Sequence, residues 1–291
     1  NGGHFSRVFD IPSGCAQGSP LSPLLYVIAA QPMAAKCRQL QGQGEVALVF
    51  VHGWSGNSRY WRNQIEPFSR QYKVITLDMA GHGHSGMGRK ESTMQAFGED
   101  VKAVVEDQKA DRVILIGHSM SGEIIAEAAR LMPGKALALV GVDTLQNIEM
   151  PLPKEEEARM LEPLERDFRS GAQAFVAGMF VEGSDPAVKE WVIQDVSSAP
   201  APQAISAMRQ YLGLYARGEA AARFEGLDVP VYCINATLWP NDAEANRRHM
   251  KSYELVTIQG TGHFPMLEKP AEFNALLSQI LEKILRPAGE K

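Results

Sequence analysis

Cysteine is scarce in this chain: Cys15, Cys37 and Cys233 stand alone among 291 residues. Three thiols at such wide spacing make neither a disulfide framework nor a zinc-ligand pattern, and none lies in a motif for a thiol nucleophile. Cys233 falls in the apolar run Val231-Tyr-Cys-Ile234 and reads as a buried core thiol. Long hydrophobic runs are lacking as well. The nearest, Leu24-Leu-Tyr-Val-Ile-Ala-Ala30, falls short of the ~18 apolar residues of a membrane span. Arg7 before it and Ala34-Ala35 after it loosely imitate a signal peptide, but Pro20, Pro23 and Pro32 break that pattern. A cytoplasmic location is the expectation, with secretion as the alternative. Positive charge is not in excess either. The formal net charge is −5, which gives no electrostatic reason to expect nucleic acid or an anionic membrane as partner. What remains is 45% hydrophobic and 22% charged, the balance of an ordinary soluble domain with a sizeable core.

The chain changes character near residue 44. Residues 1–44 are rich in Gly, Ser, Pro and Gln and end in Gln41-Gly-Gln-Gly44. From Glu45 apolar runs alternate with amphipathic stretches. Val46–Val51, Lys73–Asp78, Arg112–Ile116 and Ala136–Val142 read as strands, with helices over Ser58–Arg70 (Ser58 as its cap), Met94–Gln108 and Glu123–Leu131 between them. The strands lack period-two alternation, so both of their faces are expected to be covered. That implies an α/β fold: a mostly parallel sheet with helices on both faces. Residues 144–227 hold no convincing strand, only helical stretches around 154–169, 172–180, 187–196 and 203–215. The strand pattern resumes at Val229–Ile234 and Glu254–Ile258 and closes with a helix from Pro270 to about Leu285. The organisation expected is an atypical segment 1–44, a core of 45–143 and 228–291, and an inserted helical lid at 144–227.

Three loops carry chemistry. Gly117-His-Ser119-Met-Ser-Gly122 follows a strand and opens a helix, the setting of a nucleophile elbow. The turn needs small residues two before and two after the nucleophile. Gly117 meets that need; Ser121 stands where a second glycine is usual. The elbow lifts the Ser119 hydroxyl above the sheet and aims the Met120 N–H at a developing oxyanion. His52-Gly-Trp54-Ser-Gly56, directly after the first strong strand, can aim the Trp54 N–H at the same point. The plainer alternative is a glycine-rich strand exit. In Gly260-Thr-Gly-His263, His263 is the candidate general base, because imidazole titrates near neutrality. His52 and His82 read as architectural. The acid has two candidates. Asp143 ends the strand after the nucleophile's helix, which returns the chain to the sheet edge beside Ser119, and is favoured. Asp242 follows the next strand in a long segment and can instead cap the following helix.

From about Glu45 onward these pieces, with Asp78-Met-Ala-Gly-His-Gly-His-Ser85 and the order Ser…Asp…His, resemble the α/β-hydrolase superfamily. The resemblance implies a serine hydrolase acting on a carboxylic ester or lactone through an acyl-enzyme. Catalytic residues would be Ser119, His263 and Asp143, and the oxyanion donors Trp54 and Met120, with no cofactor or metal. It also admits carbon–carbon bond hydrolases, perhydrolases and non-catalytic ligand-binding proteins. Most of the superfamily places the acid near Trp239 to Asp242 and a minority at the position of Asp143; Trp239 in the usual place favours the minority arrangement. Phe175, Met179, Phe180, Trp191, Met208, Tyr211 and Tyr215 are candidates to line the lid. Related hydrolases begin with two more strands before Val46, of which Lys36–Gln41 can supply one. Residues 11–35, including Ile11-Pro-Ser-Gly-Cys-Ala-Gln17-Gly-Ser-Pro20, resemble instead a template-gripping motif of non-LTR retroelement reverse transcriptases. No Tyr-x-Asp-Asp accompanies it, so the implication is a fused fragment without polymerase activity, poorly integrated with the domain and burying Leu24–Ile28 in a short helix from Ser22-Pro23.

Overall fold

The computed structural model of the chain describes residues 36–87, 89 and 91–286. The stretch that resembles a reverse-transcriptase motif, Cys15 and the helix expected at Ser22-Pro23 lie outside the described residues. Within them the strands are β1 (Lys36–Gln41), β2 (Ala47–Val51), β3 (Lys73–Asp78), β4 (Val113–His118), β5 (Ala136–Val142), β6 (Val231–Ala236) and β7 (Tyr253–Ile258). The helices are α1 (Arg62–Ser69), α2 (Met94–Asp107), α3 (Ser121–Leu131), α4 (Lys154–Arg166), α5 (Phe168–Ala177), α6 (Pro186–Ser197), α7 (Ala201–Ala216), α8 (Ala243–Arg247), α9 (Pro265–Glu268) and α10 (Pro270–Leu285). None of these helices is long and apolar enough to cross a membrane.

The missing alternation in the strands has its cause here. Every residue of β2 and β4 is buried, which requires cover on both faces of the sheet. One helix group, α1 with α9 and α10, and another, α2 with α3, supply it. The strand order is β1-β3-β2-β4-β5-β6-β7. All neighbours run parallel except β1, which pairs antiparallel with β3 at the edge. The sheet therefore reaches back to Lys36, before the compositional break at residue 44. The chain steps from β2 to β3, then crosses back over β2 to β4. Such a reversal opens a crevice at the carboxyl ends of the strands, where ligands of open α/β sheets bind. The pairings Val51 with Gly117 and His118 with Val142 bring the ends of β2, β4 and β5 level at that edge.

Local chemistry sets the element limits. Thr93 caps α2 by accepting from Ala96 N at 3.1 Å, and Phe97, Val101, Val104 and Val105 form its buried stripe. Pro270 sits in the first turn of α10, where a missing N–H costs nothing. The helix expected from Ser58 divides into a 3-10 turn, Ser58–Trp61, and α1. Its cap is Asn57 rather than Ser58. Asn57 Oδ1 accepts from Arg59 N at 3.1 Å, whereas the Ser58 N–H is held by Asp78 Oδ1 at 2.8 Å. Between β5 and β6 come α4 to α7, with no strand among the described residues there. They pack mainly on one another, and α7 reaches α2.

Candidate active site

Ser119 follows β4 directly and has φ of +57°. A non-glycine residue holds that left-handed conformation at a cost of order 1–3 kcal/mol, and such strain is characteristic of functional turns. Two backbone bonds maintain it: Ser119 N–H to Val142 O at 3.0 Å and Gly122 N–H to Ser119 O at 3.0 Å. The turn is tight. A Cβ on Gly117 would lie 2.5 Å from Ser121 O. Ser121, which stands in place of the usual glycine, is fully buried, and its hydroxyl donates to His52 O. The deviation thus joins the elbow to the end of β2.

Asp143 follows β5 and also has positive φ, +43°. Its carboxylate is buried and shared between two donors: Ala236 N–H reaches Oδ1 at 2.8 Å, and His263 Nδ1 lies 2.5 Å from Oδ2. Asn235, between β5 and β7 on β6, steadies the turn, accepting from Thr144 N and donating to Thr144 O. Asp242 is engaged elsewhere. Its carboxylate caps α8 by accepting from Ala245 N at 3.0 Å, and its N–H donates to Gln146 O. Trp239 lies edge-on to the His263 ring at 5.1 Å. Since a carboxylate only accepts, His263 Nδ1 carries the proton toward Asp143 and Nε2 is left free to accept.

The other histidines near the site support it. His52 Nδ1 donates to Gly53 O at 2.9 Å, and its Nε2 accepts from Met79 N at 3.1 Å. Burial holds His52 below the usual histidine range. His118 Nε2 donates to His263 O at 2.8 Å, so the residue before Ser119 grips the backbone of the candidate base. Burial first, and His263 beside it second, keep His118 far below the usual range. His82 is pushed down to about 3 by burial and by His52, and its Nδ1 donates to Ala80 O. All three are neutral, structural imidazoles.

Trp54 and Met120 flank Ser119 along the wall of one small cavity of about 80 Å³. Their backbone N–H groups take no part in the turn bonds, which are Gly56 N–H to Gly53 O and the two at the elbow. The Trp54 indole donates to Ala204 O of α7 at 2.7 Å. A larger cavity of about 630 Å³ meets the small one at Ser119 and His263. Of the seven lid residues named from sequence, Phe175, Met179, Met208, Tyr211 and Tyr215 line one or both cavities. Phe180 instead stacks on Phe264 at 5.2 Å, and Trp191 packs on Tyr60 beneath the Arg62 guanidinium, 4.3 Å away. Among the hydrogen bonds of the described residues none joins Ser119 Oγ to His263 Nε2; contacts of this kind commonly tighten only around a reacting substrate.

Sequence reasoning missed Glu123, in the first turn of α3. A glutamate there looks like a solvent-facing helix residue, yet it is fully buried. One carboxyl oxygen accepts from the Tyr215 hydroxyl at 3.1 Å and the other has no partner. Burial pushes its pKa up to about 8, so at neutral pH it is largely the uncharged acid. No group of three His, Cys, Asp or Glu side chains among the described residues is arranged to hold a metal ion.

Comparison with known proteins gives a consistent picture. Residues 48–276 match the model of the alpha/beta hydrolase family. The pimeloyl-[acyl-carrier protein] methyl ester esterase of Nitrosomonas europaea is 24% identical over 240 residues, 78% of this chain and 92% of that protein. A second relative is the dihydrolipoyllysine-residue acetyltransferase component of the acetoin cleaving system of Pseudomonas putida. It is 31% identical over 101 residues, but that stretch spans 35% of this chain and only 27% of that protein. Among solved structures, a thermophilic esterase from Thermogutta terrifontis superposes with a TM-score of 0.73 at 23% identity, covering 87% of this chain and 94% of the other.

Proposed function

Because this chain belongs to the α/β-hydrolase family, we propose that it is a serine hydrolase that cleaves a carboxylic ester or lactone through an acyl-enzyme. The observation that carries the reading is one juxtaposition. A serine in a strained elbow shares its cavities with a histidine whose Nδ1 is held 2.5 Å from a buried aspartate.

In this reading His263 Nε2 takes the Ser119 proton as Oγ bonds to the substrate carbonyl carbon, and the carbonyl oxygen becomes an oxyanion. The N–H groups of Trp54 and Met120 stabilise that charge, the second at the N-terminus of α3 where the helix dipole adds to it. Loss of one such donor costs about 3 kcal/mol of barrier. The carbon–oxygen bond to the leaving group then breaks, and His263 returns its proton to the departing oxygen. Water repeats the sequence on the acyl-enzyme, releasing the acid and restoring Ser119. Asp143 keeps the proton on Nδ1 and stabilises the imidazolium in both halves. Helices α4 to α7 serve as the lid that excludes bulk water from these steps. The substrate is a small molecule, and the chemistry calls for no metal or organic cofactor.

The test is labelling with a fluorophosphonate together with hydrolysis of p-nitrophenyl butyrate. Ser119→Ala is expected to lose both, with a fall in kcat on the order of 10⁶-fold, while circular dichroism and Tm stay near those of the parent. Persistent labelling of the alanine variant would overturn the assignment.

A further inference from the structure

The two cavities that meet at Ser119 are unequal, and the inequality has a direction. The small one, about 80 Å³, is walled by Trp54, Met120, Val176, Val196, Met208 and Phe264, all buried. The large one, about 630 Å³, is walled by Asp143, Thr144, Leu152, Tyr215 and Trp239. It reaches the surface beside Met150 and Trp239, which are 50% and 37% exposed. Ser119, His263, Phe175, Met179, Tyr211 and Leu212 face both. A volume of several hundred Å³ suits a sizeable ligand portion, and the small cavity falls well below that range.

We propose that the protein takes esters of a short acyl group and a long or bulky, largely apolar alcohol, with the acyl group in the small cavity and the alcohol in the large one. This rests on the reading of Ser119 as nucleophile. The orientation follows from where each atom must lie. The carbonyl oxygen has to meet the N–H groups of Trp54 and Met120, residues that line the small cavity and not the large one. The leaving oxygen has to receive its proton from His263, whose partners Asp143 and Trp239 wall only the large one. The alcohol beyond that oxygen therefore runs into the large cavity. The order of product release agrees. When the bond from the acyl carbon to the alcohol oxygen breaks and that oxygen takes the proton from His263, the alcohol must leave before water can attack. The large cavity reaches the surface beside Met150 and Trp239, whereas the small one has buried Val176, Val196 and Met208 of the inserted helices along its wall.

Octyl acetate and methyl nonanoate test the direction, because they are isomers that place the same carbons on opposite sides of the ester. Octyl acetate is expected to have the higher kcat/KM by at least about tenfold, the scale on which a pocket rejects surplus methylenes. Equal or faster turnover of methyl nonanoate overturns the orientation. Met208→Ala, which enlarges only the small cavity, is expected to raise the rate on octyl butanoate relative to octyl acetate, and an unchanged ratio counts against the proposal. Fluorophosphonate labelling in parallel separates the two readings. A labelled protein that cleaves neither isomer retains Ser119 as nucleophile and loses the substrate class; an unlabelled and inactive protein loses both.

Discussion

The sheet and the inserted helices meet at Ser119 and share one apolar core, but the seam between them also carries polar contacts. In the sheet, whole strands are buried and cohesion comes from close apolar packing, with β2 and β4 showing no exposed residue. The insert shares in the apolar core, with Phe180 stacked on Phe264 and Trp191 packed on Tyr60, and adds discrete polar contacts to the rest. Asp195 of α6 accepts from Asn57 Nδ2 at 2.7 Å and pairs with Arg59. Ala204 O of α7 accepts from the Trp54 indole. Ser184 donates to Glu268 of α9 at 2.6 Å, and Ser92 N–H donates to Ser206. Loss of one polar contact at the seam leaves the apolar packing beneath it, so it is expected to loosen the insert before the sheet. In the proposed reading the division also separates tasks: chemistry falls to residues at strand ends, and substrate shape to residues on the insert.

Substitutions that respect or cross this division sharpen it. The largest effect is expected on the sheet side. Asp143→Asn keeps the size of the side chain but no longer fixes the His263 proton on Nδ1, and kcat is expected to fall about 10⁴-fold with a much smaller change in KM. Asp242→Asn, a change of equal size at the α8 cap, is expected to leave kcat within a few-fold of the parent. Steady-state kinetics on both variants decide the matter; a larger loss at Asp242 would reverse the assignment.

An intermediate effect is expected at the seam. Asp195→Ala removes the acceptor for Asn57 and Arg59, and an orphaned buried polar group costs about 1–3 kcal/mol. The penalty should fall on the insert rather than on the molecule as a whole. Hydrogen exchange is expected to speed up in α6 and α7 while amides of β2 and β4 keep their protection. Uniform acceleration across the sheet would show that insert and core unfold together and that the distinction fails.

The smallest effect concerns Glu123 on core helix α3, which bonds to Tyr215 on the insert. Its pKa is raised from 4.5 to about 8 by burial. Between those values the folded protein binds more protons than the unfolded chain, so stability declines as pH rises through this window. Glu123→Gln cannot ionise. Its Tm relative to the parent is expected to climb between pH 5 and pH 8.5 and then level. A difference in Tm independent of pH would mean that Glu123 is already charged in the folded state.

Much of the sheet could be read directly because its evidence is local. The buried runs at Val46–Val51 and Arg112–Ile116 announce double-sided burial without any partner being known, and Pro270 marks a helix start in its own right. The helix missed, α9, spans only a turn and starts at Pro265, so no periodicity accumulates in it, and α8, just as short, was legible only through its cap Asp242. The elbow was legible because its strain needs a local pattern of small residues. The partners of His263 were harder. Asp143 lies 120 residues away, and only the topology of the sheet narrows the choice. Nothing in the sequence marks Asn235 as the residue that steadies the Asp143 turn, or Glu123 as buried. Both depend on contacts across the fold, with Thr144 and with Tyr215.

The loop that carries His263 is bonded to the insert by its own backbone. His263 N–H donates to Met179 O at 2.8 Å, and a Cβ on the preceding Gly262 would lie 2.2 Å from that same oxygen. The insert is therefore not a detachable cassette. Grafting a relative's helices between β5 and β6 would shift the carbonyl at position 179 and move the imidazole with it, so chimeras made to change substrate range would lose turnover for a reason unrelated to fit.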